Sequence, residues 1–317
     1  MNFCAMKKNK IKSIALLCGV LGVLIIMTIY FCLLYLDNED DRRLNKISED
    51  RFAIIVLPDT QKYSEGYPII FSMQTQWIAD NKDGLNIKFV IHEGDIVDDA
   101  DKLEQWNMAN ESLSILDKTD IPYSVIRGNH DKGTELYKSY FPAERFSDES
   151  WWGGEYKNNT NNYQLLKIQN NDFLFISLDF CPDNEEINWA DEVLKNYSER
   201  KAILTTHAYL DNKAERNVHV CGNTTYIWNL IKKHENLQIV LCGHVHAEAR
   251  ITDLNDAGKP VHQLLADYQT EQNGGNGWLR ILEFSPSENK IYVKTYSPYL
   301  KAYQTDKDSE FVLDYEF

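Results

Sequence analysis

The chain has 317 residues, 43% of them hydrophobic and 12% aromatic, which is enough for one large domain or two small ones around a sizeable core. Its 33 basic and 48 acidic side chains give a formal net charge of −15. No basic stripe is visible, so we expect no binding to a nucleic-acid duplex, and any phosphate chemistry would need metal cations to offset the repulsion locally.

An apolar run without formal charges, residues 14–36, follows a lysine-rich N-terminal segment. As a helix this run would be about 34 Å long, enough for a hydrocarbon core of about 30 Å. The lysines predict that residues 1–13 are cytoplasmic and that the rest of the chain is exported. A cleaved signal peptide is the alternative, but its apolar part is usually about 7–15 residues long and ends in a small-residue cleavage site. We therefore predict an uncleaved transmembrane signal anchor in the cell membrane, followed by a polar stalk over residues 37–50.

The predicted exported part contains three cysteines: Cys181, Cys221 and Cys242. An odd number allows one disulfide at most in an oxidising compartment. Cys242 lies in an apolar strand and is predicted to be a buried small hydrophobic residue, which leaves Cys181 and Cys221 as the pair that could be bonded.

The remaining chain, residues 51–317, alternates short apolar runs, polar tips and stretches with helical spacing. Strands are predicted at 51–57, 87–91, 123–126, 202–206 and 239–242, and helices at 67–81, 101–116, 185–197 and 225–234. This alternation predicts an α/β fold with largely parallel strands, in one domain without repeats or an internal linker.

Two parts of the chain depart from this alternation. Residues 141–162 show no period and are predicted to form a long loop, whereas 162–168 and 173–179 are predicted to pair as an antiparallel hairpin. Near the C-terminus, four apolar runs separated by turns are predicted to be antiparallel strands, at 249–254, 261–266, 279–284 and 291–296.

Side chains that can bind metal ions follow the predicted strands directly. They are Asp59, Asp95, Asn129, His207, His244 and His246. Ligands bind at this edge of open α/β sheets. Carboxylate, amide and imidazole groups together suit Mn, Fe or Zn, and the set is large enough for two ions about 3.5–4 Å apart with one bridging carboxylate.

Five short motifs occur in order along these strand ends. They are Asp59-Thr60-Gln61, Gly94-Asp95-Ile96-Val97-Asp98, Gly128-Asn129-His130-Asp131, Thr206-His207 and Gly243-His244-Val245-His246. The series resembles the signature of the calcineurin-like metallophosphoesterases and covers about residues 52–300. The resemblance implies a four-layer α/β/β/α sandwich of two mixed sheets. The first motif departs from the signature, because Gln61 stands where the family usually has His.

The resemblance also implies a role for each site residue. One metal ion would be held by Asp59, Gln61, Asp95 and His246, and the other by Asp95, Asn129, His207 and His244. His130 would lie near the scissile phosphate as a catalytic residue, and Asp98 would orient its ring. Two interpretations of Gln61 are open: its amide oxygen binds the metal, or it only hydrogen-bonds a metal-bound water.

These roles predict a membrane-anchored, extracytoplasmic dimetal phosphoesterase that uses two divalent ions (Mn, Fe or Zn) and a metal-activated water. The substrate would be a small-molecule or cell-surface phosphate ester, and the sequence leaves open the choice between monoester and diester, as well as the oligomeric state. One alternative is a nucleotide pyrophosphatase or phosphodiesterase. The other is a catalytically weak surface binding protein on the same fold, for which Gln61 is the only support.

Several other polar and aromatic residues have an ordinary structural interpretation. Four histidines are predicted to lie on surfaces or to cap helices: His92, His219, His234 and His262. Arg127 either clamps phosphate or packs beside the metal edge. Trp151 and Trp152 are predicted to form an aromatic wall for the substrate, with a small hydrophobic cluster as the alternative. Tyr209, Tyr268 and the 274–278 loop would flank the same edge.

Overall fold

A computed structural model describes residues 46–216 and 218–317. The predicted cytoplasmic segment, the predicted transmembrane anchor at 14–36 and most of the predicted stalk lie outside the described residues. Within the part of the chain that is described, no helix is both long enough and apolar enough to cross a membrane.

Helices alternate with strands in parts of the described chain, whereas other strands follow one another directly. The strands are β1 (Phe52–Leu57), β2 (Ile87–His92), β3 (Tyr123–Ser124), β4 (Trp152–Tyr156), β5 (Asn161–Ile168), β6 (Asn171–Leu178), β7 (Lys201–Thr206), β8 (Leu237–Cys242), β9 (Glu248–Leu254), β10 (Pro260–Ala266), β11 (Leu279–Ser285), β12 (Lys290–Ser297), β13 (Ala302–Gln304) and β14 (Phe311–Asp314). The helices are α1 (Gln61–Gly66), α2 (Pro68–Asn81), α3 (Leu103–Asp117), α4 (Leu136–Tyr140), α5 (Asn184–Asn196), α6 (Val218–Cys221), α7 (Thr224–Ile231) and α8 (Gln272–Gly275), with a 3-10 turn at Ala143–Arg145.

The strands form two mixed sheets, as predicted. The first sheet has the order β13-β12-β11-β1-β2-β3, with β14 also pairing with β12, and the second has the order β4-β5-β6-β7-β8-β10-β9. Strands β1, β2 and β3 run parallel in the first sheet. Strands β6, β7, β8 and β10 run parallel in the second. Each sheet therefore has one edge at which several carboxyl ends of strands meet.

The two sheets pack face to face through a shared apolar core. Phe89 of the first sheet stacks on Phe175 of the second, with the ring centroids 3.9 Å apart. Burying one aromatic side chain of this size contributes about 1.5–3 kcal/mol. Helices α5 and α7 pack on the other face of the second sheet. Helix α2 packs on the other face of the first sheet, where Trp77 contacts Tyr296. The layers are therefore ordered helix, sheet, sheet, helix.

Local sequence explains where the long helices begin. Asp183 precedes α5, and its carboxylate accepts hydrogen bonds from the backbone N–H groups of Glu185 and Glu186, both at 2.9 Å. The Glu186 side chain accepts in return from the N–H of Asp183 at 2.7 Å, which completes a capping box worth about 1 kcal/mol. Helix α2 begins at Pro68, whose missing N–H is not needed in the first turn.

The long loop predicted at 141–162 is wrong, because this segment contains a 3-10 turn and the edge strand β4. Strand β4 contains Gly153 and Gly154, which lie against the ring of Tyr163. Because these two residues have no side chain, β4 lacks the alternating apolar pattern by which a strand is recognised. The hairpin predicted to follow is confirmed as β5 and β6.

The predicted antiparallel pairing of the C-terminal strands is wrong for one strand. Strand β10 pairs antiparallel with β9 but parallel with β8, since it returns between them. Its carboxyl end therefore lies at the same edge as the carboxyl ends of β7 and β8.

The cysteine predictions are confirmed. Cys181 and Cys221 form a disulfide with their Cα atoms 4.9 Å apart, and Cys242 is a buried thiol in β8. The disulfide joins the loop after β6 to helix α6, next to the edge where the polar strand tips lie.

Candidate metal centre

The carboxyl ends of strands from both sheets bring the predicted metal ligands together. Potential ligand atoms of Asp95, His207 and His244 all lie within 4.8 Å of one another. Asn129 joins them, because its Oδ1 lies 3.2 Å from Nε2 of His207. All four residues predicted for the second metal ion therefore surround one point between the two sheets.

The His207 ring is held in one orientation. Its Nδ1 lies 2.8 Å from the main-chain oxygen of Glu93, and a carbonyl can only accept, so Nδ1 carries the proton. Nε2 then faces Oδ2 of Asp95 at 3.2 Å and Nδ1 of His244 at 3.3 Å. Carboxylate, amide and imidazole groups thus converge on one point, which is an arrangement that a bound cation stabilises. Burial acts in the other direction, but the carboxylate of Asp95 raises the pKa of His207.

The residues predicted for the first metal ion are less tightly grouped. The Asp59 carboxylate accepts from the N–H of His244 at 3.2 Å and lies 3.9 Å from Nε2 of His207. Gln61 is buried at the start of α1. The His246 imidazole is about half exposed, and no hydrogen bond or ion pair in the described part of the chain joins it to Asp59 or Gln61. Its Nε2 lies 3.8 Å from Oδ2 of Asp267 instead.

Three motif glycines allow the carboxylates to approach the neighbouring loops. A Cβ on Gly128 would lie 2.0 Å from Oδ1 of Asp95, and a Cβ on Gly243 would lie 2.1 Å from Oδ1 of Asp59. Gly94 has a φ of +96°, and a Cβ there would lie 2.8 Å from the backbone nitrogen of Gly128. The glycines in these motifs are therefore steric requirements of the acidic site.

Burial of several acidic groups at one place perturbs their protonation. Burial raises the pKa of Asp59 well above its usual range, and the charges of Asp267 and Asp95 add to the effect. Burial likewise raises the pKa of Asp267 and of Glu93. Burial and the neighbouring His207 lower the pKa of His244 to about 4. The site thus gathers several carboxylates, most of them buried, which fits divalent cations.

His130 lies at the partly exposed rim of this cluster. Its backbone N–H donates to Oδ1 of Asp95 at 2.9 Å. Its ring Nδ1 donates to the main-chain oxygen of Asp98 at 2.6 Å, whereas the Asp98 carboxylate is 3.7 Å away and accepts from Lys62 at 2.7 Å. Asp98 therefore holds the ring mainly through its carbonyl group. The other ring nitrogen, Nε2, has no hydrogen-bond partner among the residues described.

Sequence reasoning gave no role to Asp131. Its carboxylate accepts from the N–H groups of Ile96 at 2.9 Å, Val97 at 3.0 Å and Gly128 at 2.8 Å, so it ties the second motif to the third. Burial and the charge of Asp95 raise its pKa to about 7. The sequence signal for a role of Asp131 was its position at the end of the third motif.

Asp267 and Gln269 were also missed. Both are buried just after β10, and Gln269 contacts both Asp59 and Gln61. The sequence signal for these two residues was an apolar run, 261–266, followed directly by polar side chains, as at the other strand ends. The antiparallel orientation predicted for this strand placed its tip at the wrong edge.

The prediction that four histidines lie on surfaces or cap helices is wrong for two of them. His92 is buried and bonds Oγ1 of Thr60 at 2.8 Å, and His262 is buried and donates to the main-chain oxygen of Asp314 at 2.7 Å. His219 is exposed. His234 follows α7 and pairs with Asp191 at 2.6 Å.

Arg127 packs beside the metal edge. Its guanidinium group pairs with the buried carboxylate of Asp179, with 3.1 Å between Nε and Oδ1, and lies over the ring of Tyr137. These contacts favour the packing role over the phosphate clamp.

The predicted aromatic wall for the substrate is wrong. Trp151 and Trp152 pack with Phe146 in a hydrophobic cluster, and Trp152 pairs in register with Gln164, away from the carboxyl ends of the parallel strands. Tyr209 and Tyr268 are buried and hydrogen-bonded, so they offer no aromatic surface to a substrate. The 274–278 loop does reach this edge, because Gly275 packs against the hydroxyl of Tyr63 in α1.

Two mixed sheets that carry clustered carboxylate, amide and imidazole groups at their shared edge define a metallophosphoesterase fold. The chain belongs to the calcineurin-like phosphoesterase family, whose model matches residues 52–248.

Two curated proteins illustrate the sequence similarity of this chain to its relatives. The uncharacterized protein YvnB of Bacillus subtilis is 42% identical over 278 residues, a match that covers 82% of this chain but 21% of YvnB. The chain thus spans about a fifth of that relative. A probable glycerophosphodiester phosphodiesterase, GpdQ, of Arcobacter nitrofigilis is 24% identical, with 57% of this chain and 66% of that protein covered.

Solved structures that share the fold include the following two. A dimetal phosphatase from Danio rerio has a TM-score of 0.58 at 13% identity, covering 84% of this chain and 99% of that one. GAP50, the anchor in the inner membrane complex of Plasmodium, has a TM-score of 0.53 at 14% identity, covering 82% and 89%. At these identities the likeness concerns the fold alone.

Proposed function

We propose that this chain is a dimetal phosphoesterase that hydrolyses phosphate esters. The observation that carries the proposal is the convergence of Asp95, Asn129, His207 and His244 on one point, with the proton of His207 on the nitrogen that faces away from it. Such a set of carboxylate, amide and imidazole ligand atoms at the edge shared by the two sheets supports a metal centre.

The proposed ligands of the first ion are Asp59, Gln61, Asp95 and His246, and those of the second are Asp95, Asn129, His207 and His244. The fit supports Mn, Fe or Zn, because imidazole nitrogen occurs beside carboxylate and amide oxygen. When bound, two such cations would lower the pKa of a water between them and offset the charge that builds on the phosphate oxygens. The half-exposed His246 would have to turn from Asp267 toward Asp59.

His130 is the proposed acid of the reaction. Its Nδ1 is held by the main-chain oxygen of Asp98, so Nε2 is the nitrogen that would donate a hydrogen bond or a proton to the leaving oxygen. Its backbone N–H holds Asp95, which couples the position of the acid to that of the proposed bridging carboxylate.

Phosphodiesters are the substrate class with the most support. The relatives at 22–26% identity include the probable GpdQ and two probable cyclic nucleotide phosphodiesterases, from Colwellia psychrerythraea and Moraxella catarrhalis. A small-molecule or cell-surface diester is therefore proposed, with a nucleotide pyrophosphatase or phosphodiesterase as the second candidate.

The proposed location is the cell membrane, with the N-terminus cytoplasmic and the catalytic domain extracytoplasmic. The apolar run at 14–36 supports the anchor. The disulfide between Cys181 and Cys221 supports an oxidising compartment for the body.

The test is hydrolysis by the full-length chain purified in detergent. We would assay p-nitrophenyl phosphate and bis-p-nitrophenyl phosphate in parallel, with Mn²⁺, Zn²⁺, Fe²⁺ or a chelator. We expect metal-dependent turnover, faster on the diester, that is lost in Asn129→Ala and His130→Ala but kept in the exposed variant His219→Ala. A chain that neither binds metal nor turns over either compound would instead be a binding protein on this fold.

A further inference from the structure

Gln61 and Gln269 form a pair of buried amides beside the proposed first metal position. Gln61 is 3% exposed and Gln269 is 7% exposed. Nε2 of Gln61 donates a hydrogen bond to Oε1 of Gln269. Gln61 begins α1 after the first sheet, whereas Gln269 follows β10 of the second, so the contact bridges the two sheets at the acidic edge.

The orientation of the Gln269 amide is set by its other neighbours. Its Nε2 donates to Oδ2 of Asp267 at 2.9 Å and to Oδ2 of Asp59 at 3.2 Å. When Asp59 is ionised, as metal binding requires, its carboxylate can only accept, so a flipped amide would place its oxygen against a carboxylate oxygen. The backbone N–H of Gln269 also donates to Oδ1 of Asp267 at 2.9 Å, which fixes the start of the side chain.

This orientation determines the orientation of Gln61 in turn. Because Gln269 presents its oxygen, Gln61 must present its NH₂ group, and its own oxygen is turned the other way. That oxygen, Oε1, is buried and has no hydrogen-bond partner among the residues that the structure describes. Other buried amide oxygens among the described residues, such as that of Gln74, are likewise without a partner, but the oxygen of Gln61 belongs to the motif that contains Asp59 and is available to a cation there.

We propose that Gln269 is a positioning residue that, anchored by Asp59 and Asp267, holds the Gln61 amide with its oxygen toward the first metal ion. This inference rests on the proposed dimetal function and deepens it. An amide can flip and present either its oxygen or its NH₂ group to the metal position, and only the oxygen can bind a cation. A side chain that fixes the flip therefore decides whether position 61 can bind the ion.

The test measures metal binding by the full-length chain, by titration with Mn²⁺ and elemental analysis of the bound ion. Wild type should bind two ions. Gln269→Met should lower the affinity for one of them by about 10–100-fold and leave the other within about 3-fold, as is typical when a residue that orients a metal ligand is lost. Gln74→Met is the matched control, because Gln74 is a buried glutamine of α2 that is hydrogen-bonded to Trp278 outside the site.

A second background separates positioning from general damage to the fold. In Gln61→Met, which has no amide to orient, the added substitution Gln269→Met should change the affinity by less than about 3-fold. An equal loss in both backgrounds, or two ions bound with unchanged affinity in Gln269→Met, would overturn the positioning role and leave the dimetal function intact. A wild-type chain that binds no ion would overturn both proposals. Gln269→Ala replaces Gln269→Met if the latter fails to fold.

Discussion

Oδ1 of Asp95 occupies the space that a side chain at position 128 would need: a Cβ on Gly128 would lie 2.0 Å from it. Gly128→Ala must therefore displace the carboxylate that is proposed to bridge both metal ions. A misplacement of about 1 Å in a catalytic group can cost on the order of 100-fold in rate. We expect a loss of phosphodiesterase activity of at least about that size, measured as kcat with bis-p-nitrophenyl phosphate, together with weaker metal binding.

Gly66→Ala is the control for this substitution. Gly66 lies in α1, and a Cβ there would meet nothing within 4 Å. Its activity should match that of wild type. Retention of full activity and of both metal ions in Gly128→Ala would show that Asp95 can move without consequence, and the bridging role would be wrong.

The polar strand tips are the part of the site that the sequence could predict. Asp59, Asp95 and His207 each follow an apolar run, and parallel strands place such tips at one edge. Asp267 follows the same kind of run after β10, but the chain there has no helix to indicate a parallel strand, and the turn before it indicated an antiparallel one. The direction of a strand depends on its partners in the sheet, which its own sequence does not contain.

Burial of individual polar residues was harder to predict than the site itself. His92 and His262 end or lie within strands whose polar side chains find partners inside the fold, Thr60 and the carbonyl of Asp314. Strand β4 was missed for a related reason, since it is defined by its pairing with β5 rather than by its own pattern. In each case a long-range contact determines the structure.

Arg127 is expected to stabilise the fold rather than to bind substrate. Lysine cannot reproduce its paired contacts to Asp179, so Arg127→Lys should lower the free energy of unfolding by about 1–3 kcal/mol and change KM by less than about 3-fold. Urea denaturation and steady-state kinetics measure the two effects. The control is Lys82→Met, since its partner Asp120 is fully exposed and the pair contributes little. A KM raised more than about 10-fold with unchanged stability would instead identify a phosphate clamp.

The disulfide between Cys181 and Cys221 should contribute strongly to stability. It joins residues 40 positions apart, for which the chain-entropy model gives about 4 kcal/mol. The disulfide also lies close to the site. Phe180, the residue before Cys181, has its ring centroid 5.7 Å from that of His207 and 5.6 Å from that of His244. The double variant Cys181→Ser/Cys221→Ser should unfold at lower urea concentration than oxidised wild type and at the same concentration as reduced wild type. Equal stability of oxidised and reduced wild type would contradict this.

His92 should make the metal-free protein less stable at mildly acidic pH. Burial and the neighbouring His207 lower its pKa to about 3, from an ordinary value of 6.5. Above pH 6.5 the ring is neutral in both the folded and the unfolded chain, and its contribution is fully present. Below that pH only the unfolded chain takes up the proton, so stability is lost as the pH falls toward 3. Between pH 7.5 and pH 5 the loss in the free energy of unfolding should be about 2 kcal/mol, from about 1.4 kcal/mol per pH unit.

Urea denaturation with a chelator present should therefore show a smaller pH dependence in His92→Gln than in wild type. The exposed variant His219→Gln should keep the wild-type dependence, and an identical pH dependence in all three proteins would mean that His92 is protonated within the fold.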